Sequence, residues 1–175
     1  MVINNAEASC WFLRYLIIAI CEISFGRPRK MDAEIRSKNM RNIRAQDTSI
    51  ELMLRKRLWH EGIRYRKNYS CLPGKPDVAI TKYKIAIFCD GEFFHGKDWE
   101  QLKERLSNGK NSNYWVKKIE RNITRDKHND QILKYYDWIV LHFWESDIRN
   151  NIDKCVQTIK ETILEQTIRT FNENE

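Results

Sequence analysis

LPGKPDVAITKYKIAIFCDGEFFH, residues 72–95, decides how this chain folds. Pro73, Gly74 and Pro76 make a stiff turn that no helix continues through, and two short apolar runs follow, Val78 to Ile80 and Ile85 to Cys89. Runs of that length bounded by turn residues predict a buried hairpin, with Thr81 to Lys84 as its polar turn. Asp77 stands at the start of one strand, and Asp90 and His95 stand just past the end of the other. An unpaired charge beside a buried sheet is costly, so Asp77 needs a cation, a hydrogen-bond cluster or an exposed rim position. A hard ion such as Mg2+ takes one or two carboxylates and completes its shell with water and phosphate, which fits phosphodiester hydrolysis. Turn chemistry accounts for the same residues equally well, since Asp77 follows Pro76 and Asp90 precedes Gly91.

Ahead of the hairpin, Thr48-Ser49-Ile50-Glu51 reads as a capping box that starts a helix, with Leu54 and Leu58 in line with Glu51 and Gly62 as the stop. Capping is a sufficient structural role for Glu51. Ile63 to Arg66 reads as a short strand leading into the hairpin. Earlier still, Arg36, Lys38, Arg41 and Arg44 are either phosphate contacts or a solvated basic arm. Residues 1–30 are apolar and then basic, and their uncharged run from Tyr15 to Cys21 is too short to span a bilayer. They are expected to be an extension outside a working domain at 31–170, with 171–175 as a frayed tail.

Beyond the hairpin, Gly96 to Ser112 is expected to be a loop with a helical turn near Glu100 to Leu106. Ser112 caps a helix over Asn113 to Tyr135, on which Trp115, Ile119, Asn122, Asp126 and Leu133 share one stripe. Asn122 and Asp126 thus point toward the core, where polar groups need partners: a structural cluster, or support for an active site. Trp138 to Trp144 is apolar on both sides apart from His142, which predicts a strand interior to the sheet and a hydrogen-bonded core or edge histidine. A single last helix starts at Ser146 or Asp147 and packs through Ile148, Ile152, Val156, Ile159 and Ile163. This order of elements predicts an α/β sandwich around a mixed sheet.

The 175 residues suffice for one domain with a real core. A net charge of +7 and a pI near 9.2 suggest a polyanionic partner. Five cysteines without a C-x-x-C pair argue against a disulfide framework or a thiolate zinc site, and for a reducing, cytoplasmic setting.

The stretches RSKNMRNIRAQDTSIE, GIRYRKN, LPGKPDVAI, AIFCDGEFFHG, NYWVKKIERNITRD and VLHFWE occur in one order and spacing across about Arg36 to Ile148. Together they resemble the very-short-patch-repair (Vsr) DNA mismatch endonucleases. The resemblance implies a restriction-endonuclease-like fold, a three-layer sandwich with a central mixed sheet flanked by helices. It also implies Mg2+-dependent nicking of one strand of double-stranded DNA at or near a T:G mismatch, with mismatch-repair proteins as partners; a monomer is expected. On it, Asp77 is the principal magnesium ligand and Cys89 offers a backbone carbonyl. His95 activates the water, and Glu51 and Asp126 position it; Asn122, from its place on the helical stripe, is expected to support the site from behind. Phe93, Phe94 and Trp115 match aromatics that wedge into the duplex beside the mismatch, where unstacking costs least.

Departures from the family pattern matter as well. Glu92, Lys97, Trp99 and Ser146 stand where zinc-holding members place Cys or His, so no structural zinc is expected. Asp90 replaces a family histidine and Phe94 a family tryptophan; Asp90 is thereby a further candidate metal ligand. A restriction-like DNA endonuclease of different specificity and a non-catalytic DNA-binding module are the alternative functions.

Overall fold

The hairpin forms as predicted in the computed structural model, which describes residues 46–109 and 111–172. The basic residues Arg36, Lys38, Arg41 and Arg44 and the segment 1–30 lie outside the described residues. Helix α1 (Ser49–His60) begins at Thr48, with Glu51 closing the capping box. It ends where Gly62 adopts φ 74°, a left-handed conformation that glycine takes without strain. Strand β1 (Arg66–Lys67) pairs antiparallel with β2 (Val78–Ile80), and β2 pairs antiparallel with β3 (Ile85–Asp90) across a 3-10 turn over Thr81–Tyr83. The two-residue β1 lies later in the chain than the expected Ile63 to Arg66 strand, of which only Arg66 belongs to it.

Helices α2 (Trp99–Ser107) and α3 (Ser112–Tyr135) lead to β4 (Ile139–Trp144), which runs parallel to β3. Two helices follow, α4 (Glu145–Asn150) and α5 (Ile152–Asn172). A single last helix was expected. Asn151 breaks it, with φ −140° and ψ 45°, so the stripe from Ile148 to Ile163 is carried by two rods rather than one. Phe171 and Asn172, expected in a frayed tail, are still helical.

The described sheet has the order β1-β2-β3-β4, so β4 is its edge and not an interior strand. The apolar character that suggested an interior position has another cause: helices flank this edge strand, with α3 and α4 both against it. Period-two alternation divides the β3–β4 ladder between two environments. Ile85, Ile87, Leu141 and Phe143 join Ile50, Leu54, Leu58, Ile148, Val156 and Ile159 in one hydrophobic core beneath α1, α4 and α5. The residues between them on the strands, Phe88, Asp90 and His142, line a cleft together with residues of α3. This mixed sheet between helices is the α/β architecture that the sequence predicts.

Candidate active site

The cleft lies at the end of β3 and encloses about 510 Å³, lined by Phe88, Asp90, His95, Asp126, Asp130 and His142 among others. Asp77, Cys89 and Glu51 do not line it; the place of Asp77 is set where β2 is too short for β3. The ladder between them stops at Val78↔Ile87, so β2 offers the Cys89 N–H no partner. It donates instead to Asp77 Oδ2 at 2.8 Å. Burial pushes the Asp77 carboxyl up to about 6, against the lowering effect of the Cys89 N–H, and the negative charge of Glu51 adds to the rise. A carboxylate so held asks for a cation, and a backbone carbonyl and a carboxylate are donors that suit a hard divalent ion. The residues present therefore fit Mg2+. Among the described residues, no group of three or more His, Cys, Asp or Glu side chains is arranged to hold a metal ion, and magnesium, unlike zinc, does not require one.

Behind Asp77 lies an arginine that the sequence reading missed. Arg55, 4% exposed, donates through Nη2 to Glu51 Oε2 at 2.9 Å, to Asn68 Oδ1 at 2.8 Å and to the Asp77 main-chain carbonyl at 3.0 Å. Its Nη1 pairs with Asp47 at 2.5 Å. Glu51 also accepts from the Thr48 hydroxyl at 2.7 Å and from the Asp47 N–H at 3.0 Å. Its carboxylate is thus the cap expected of it and, at the same time, one wall of the Arg55 site. The signal was present as the i, i+4 spacing of Glu51 and Arg55, which on a helix also describes a solvated pair.

His95 follows β3 in a turn whose backbone is held by α3: Asn122 Nδ2 donates to the Phe94 carbonyl at 3.0 Å. Gly96, at φ 69°, completes that approach, since a Cβ there would stand 2.6 Å from Ile123 Cδ1. His95 Nδ1 meets Asp126 Oδ2 at 2.9 Å and lies 3.4 Å from Asp90 Oδ1. Burial lowers the imidazole pKa, but the Asp126 bond and the charges of Asp90 and Asp126 together hold it above the ordinary histidine value. Asp126 also accepts from Arg125 at 3.1 and 3.2 Å; burial notwithstanding, His95 and Arg125 keep its pKa low. Asn122 and Asp126 face this turn rather than the core, while Ile119 and Leu133 of the same helix are fully buried.

Asp90, 6% exposed, directs its other oxygen, Oδ2, at His142 Nδ1, 2.6 Å away, and His142 Nε2 meets Asp130 Oδ1 at 3.1 Å. Burial works against charge on His142, yet Asp90 and then Asp130 raise its pKa to about 9. His142 is satisfied, as expected, but within the cleft. Asp130 was not singled out by the sequence reading, although it continues the i, i+4 row from Asn122 and Asp126.

Beside the cleft, Phe93 packs edge-on against Phe94 and Trp115 at centroid distances of 5.2 and 5.3 Å. Tyr114 extends the cluster, 5.2 Å from Trp115, and Lys118 lies over the rings of Phe94, Tyr114 and Trp115. Phe94 and Tyr114 are 44% and 59% exposed, so the cluster presents aromatic surface to solvent. A neighbouring depression on α3 is lined by Lys117, Lys118, Arg121 and Arg125. Among Glu92, Lys97, Trp99 and Ser146, Lys97 Nζ donates to Glu92 at 3.0 Å and to Ser146 at 2.8 Å, which puts an ammonium at the centre of the cluster. No described helix is long and apolar enough to cross a membrane.

Residues 29–101 match the family model described as DNA mismatch endonuclease Vsr. The type II nicking enzyme V.NmeDIP of Neisseria meningitidis serogroup C is 42% identical over 134 residues, 77% of this chain and 89% of that protein. The type II nicking enzyme V.HpaIIP of Haemophilus parainfluenzae is 40% identical over 141 residues, covering 80% and 99%. The DNA mismatch endonuclease Vsr of Escherichia coli is 35% identical over 118 residues, covering 67% and 74%. This chain belongs to the Vsr family of DNA endonucleases.

Proposed function

We propose that the protein is a Mg2+-dependent endonuclease that nicks one strand of double-stranded DNA at or near a T:G mismatch, acting in the cytoplasm in DNA repair. The observation that carries this reading is convergence. Asp77 accepts from the Cys89 N–H at the end of the hairpin; the next residue of β3, Asp90, adds its charge to the field at Asp77 and lies 3.4 Å from His95 Nδ1, which meets Asp126 of α3.

Asp77 and the Cys89 carbonyl would hold the ion, which supplies neutralisation of the phosphate and stabilisation of the leaving oxygen. His95 is the base. Asp126 occupies Nδ1, so Nε2, which has no partner among the described residues, is the nitrogen that takes the water's proton. The charge that arrives on the ring is stabilised by Asp126 and Asp90. Glu51 keeps its place through Arg55 and holds the Asp77 end of the site. Asp90, with an imidazole at each oxygen, serves the histidines in preference to the metal.

The exposed aromatic cluster supports mismatch recognition, because an inserted ring restores the stacking lost where a mispair opens. The basic row on α3 supplies phosphate contacts. Relatives named as type II nicking enzymes favour a second reading, a nicking enzyme of different sequence specificity. One assay separates the two: a duplex carrying a single T:G mismatch, a matched duplex and the Asp77→Ala variant, each with Mg2+ and with chelator. A nick confined to the mismatched duplex, lost with chelator and in Asp77→Ala, is the expected result. Equal cutting of both duplexes favours the second reading, and binding without cutting refutes both.

A further inference from the structure

His142 is held more tightly than packing requires. It stands opposite Phe88 in the parallel β3–β4 register, and its ring stacks on that of Phe88 with centroids 5.0 Å apart and planes 14° from parallel. The stack fixes the ring plane. Rotation within that plane is fixed by the two carboxylates, Asp90 at Nδ1 and Asp130 at Nε2. With both nitrogens donating, the ring has no lone pair with which to take a proton. It is therefore not a second base.

Its effect is exerted through Asp90. That carboxylate has one oxygen 2.6 Å from His142 and the other 3.4 Å from His95 Nδ1, while Asp126 holds the same Nδ1 at 2.9 Å. A carboxylate free to rotate would compete with Asp126 for His95; one anchored by a short charge-assisted bond does not. We propose that His142, backed by Asp130, is a positioning residue for strand nicking: it anchors Asp90 so that the His95 ring stays on Asp126 with Nε2 turned to the cleft. This inference rests on the endonuclease reading for its function but not for its geometry.

The test uses the full chain with His142→Phe, which keeps a ring on Phe88 and removes both hydrogen bonds. The single-turnover nicking rate on the T:G duplex falls about tenfold or more, because a small misplacement of a reacting group is enough to cost that much. Affinity for the duplex stays near wild type, while the melting temperature falls, because Asp90, 6% exposed, loses the partner of a buried pair. Ring nitrogen signals of His95, read by NMR without DNA or metal, move from a single Nδ1–H form to a mixture. Asp130→Ala, which leaves His142 and its stack in place, moves both readouts the same way by less, and it decides the matter if His142→Phe does not fold. Unchanged His95 signals, or a rate loss matched by an equal loss of affinity, would overturn the proposal. Should the wild-type protein nick neither duplex, the endonuclease reading fails, and the His95 signals still decide what His142 does.

Discussion

Two clusters of charged residues, one around Arg55 behind Asp77 and one lining the cleft, behave oppositely. In the first, Arg55, 4% exposed, ties Asp47, Glu51, Asn68 and the Asp77 carbonyl into a closed knot. In the other, carboxylates alternate with imidazoles, Asp130–His142–Asp90–His95–Asp126, and both histidine side chains are 29% exposed. An arginine keeps its charge throughout the physiological range, so the first cluster can only hold a position. His95, bound to Asp126 through Nδ1 alone, can exchange a proton at Nε2, so the second can do chemistry. Rigidity and reactivity are thus assigned to different charged partners across a single strand end.

Breaking the knot should cost the most stability. Arg55→Ala leaves Glu51 buried without its cation, and removal of one partner from a buried pair typically destabilises by about 3–5 kcal/mol. Denaturant melts measure this, and a loss below about 1 kcal/mol would show that the knot is not the rigid cluster. Breaking the other cluster should change rate and pH dependence instead. His95 must be neutral to accept a proton, and its pKa lies above the ordinary 6.5, so nicking rises with pH through a midpoint above that value. Asp126→Asn removes the charge that raises it and leaves at most a neutral bond to Nδ1, so the midpoint moves to lower pH while the plateau rate drops. A midpoint that moves upward would contradict the assignment. The smallest effect is expected outside both clusters: Phe94→Ala should weaken binding to the mismatched duplex by about 1–3 kcal/mol, the usual worth of a stacked ring. It should leave the matched duplex nearly unaffected, and equal weakening of both would remove the wedge role.

The same contrast explains what could be read from the sequence. Asp77, His95 and the hairpin were legible because prolines, glycines and short apolar runs are local signals, and the family stretches fix their order. Asp126 and Asn122 were visible as polar residues on an apolar helical stripe. Arg55 was not, since a helical arginine four residues after a glutamate looks the same whether solvated or buried. His142 was visible as a residue but not as a neighbour of Asp90, because that contact depends on the parallel register Phe88↔His142 between strands separated by two helices. The edge position of β4 was hidden for a related reason: coverage by helices makes an edge strand as apolar as an interior one. Nor did Asn151 announce the break between α4 and α5, as the apolar spacing continues through it.

The division of labour is tested most directly by His95→Ala, assayed for single-turnover nicking of the T:G duplex with Mg2+ alongside melting temperature and duplex affinity. The predicted result is a rate loss on the order of 10²–10⁴, the usual contribution of a positioned base, with melting and affinity unchanged. Nicking at the wild-type rate, or a loss that tracks unfolding, would contradict it.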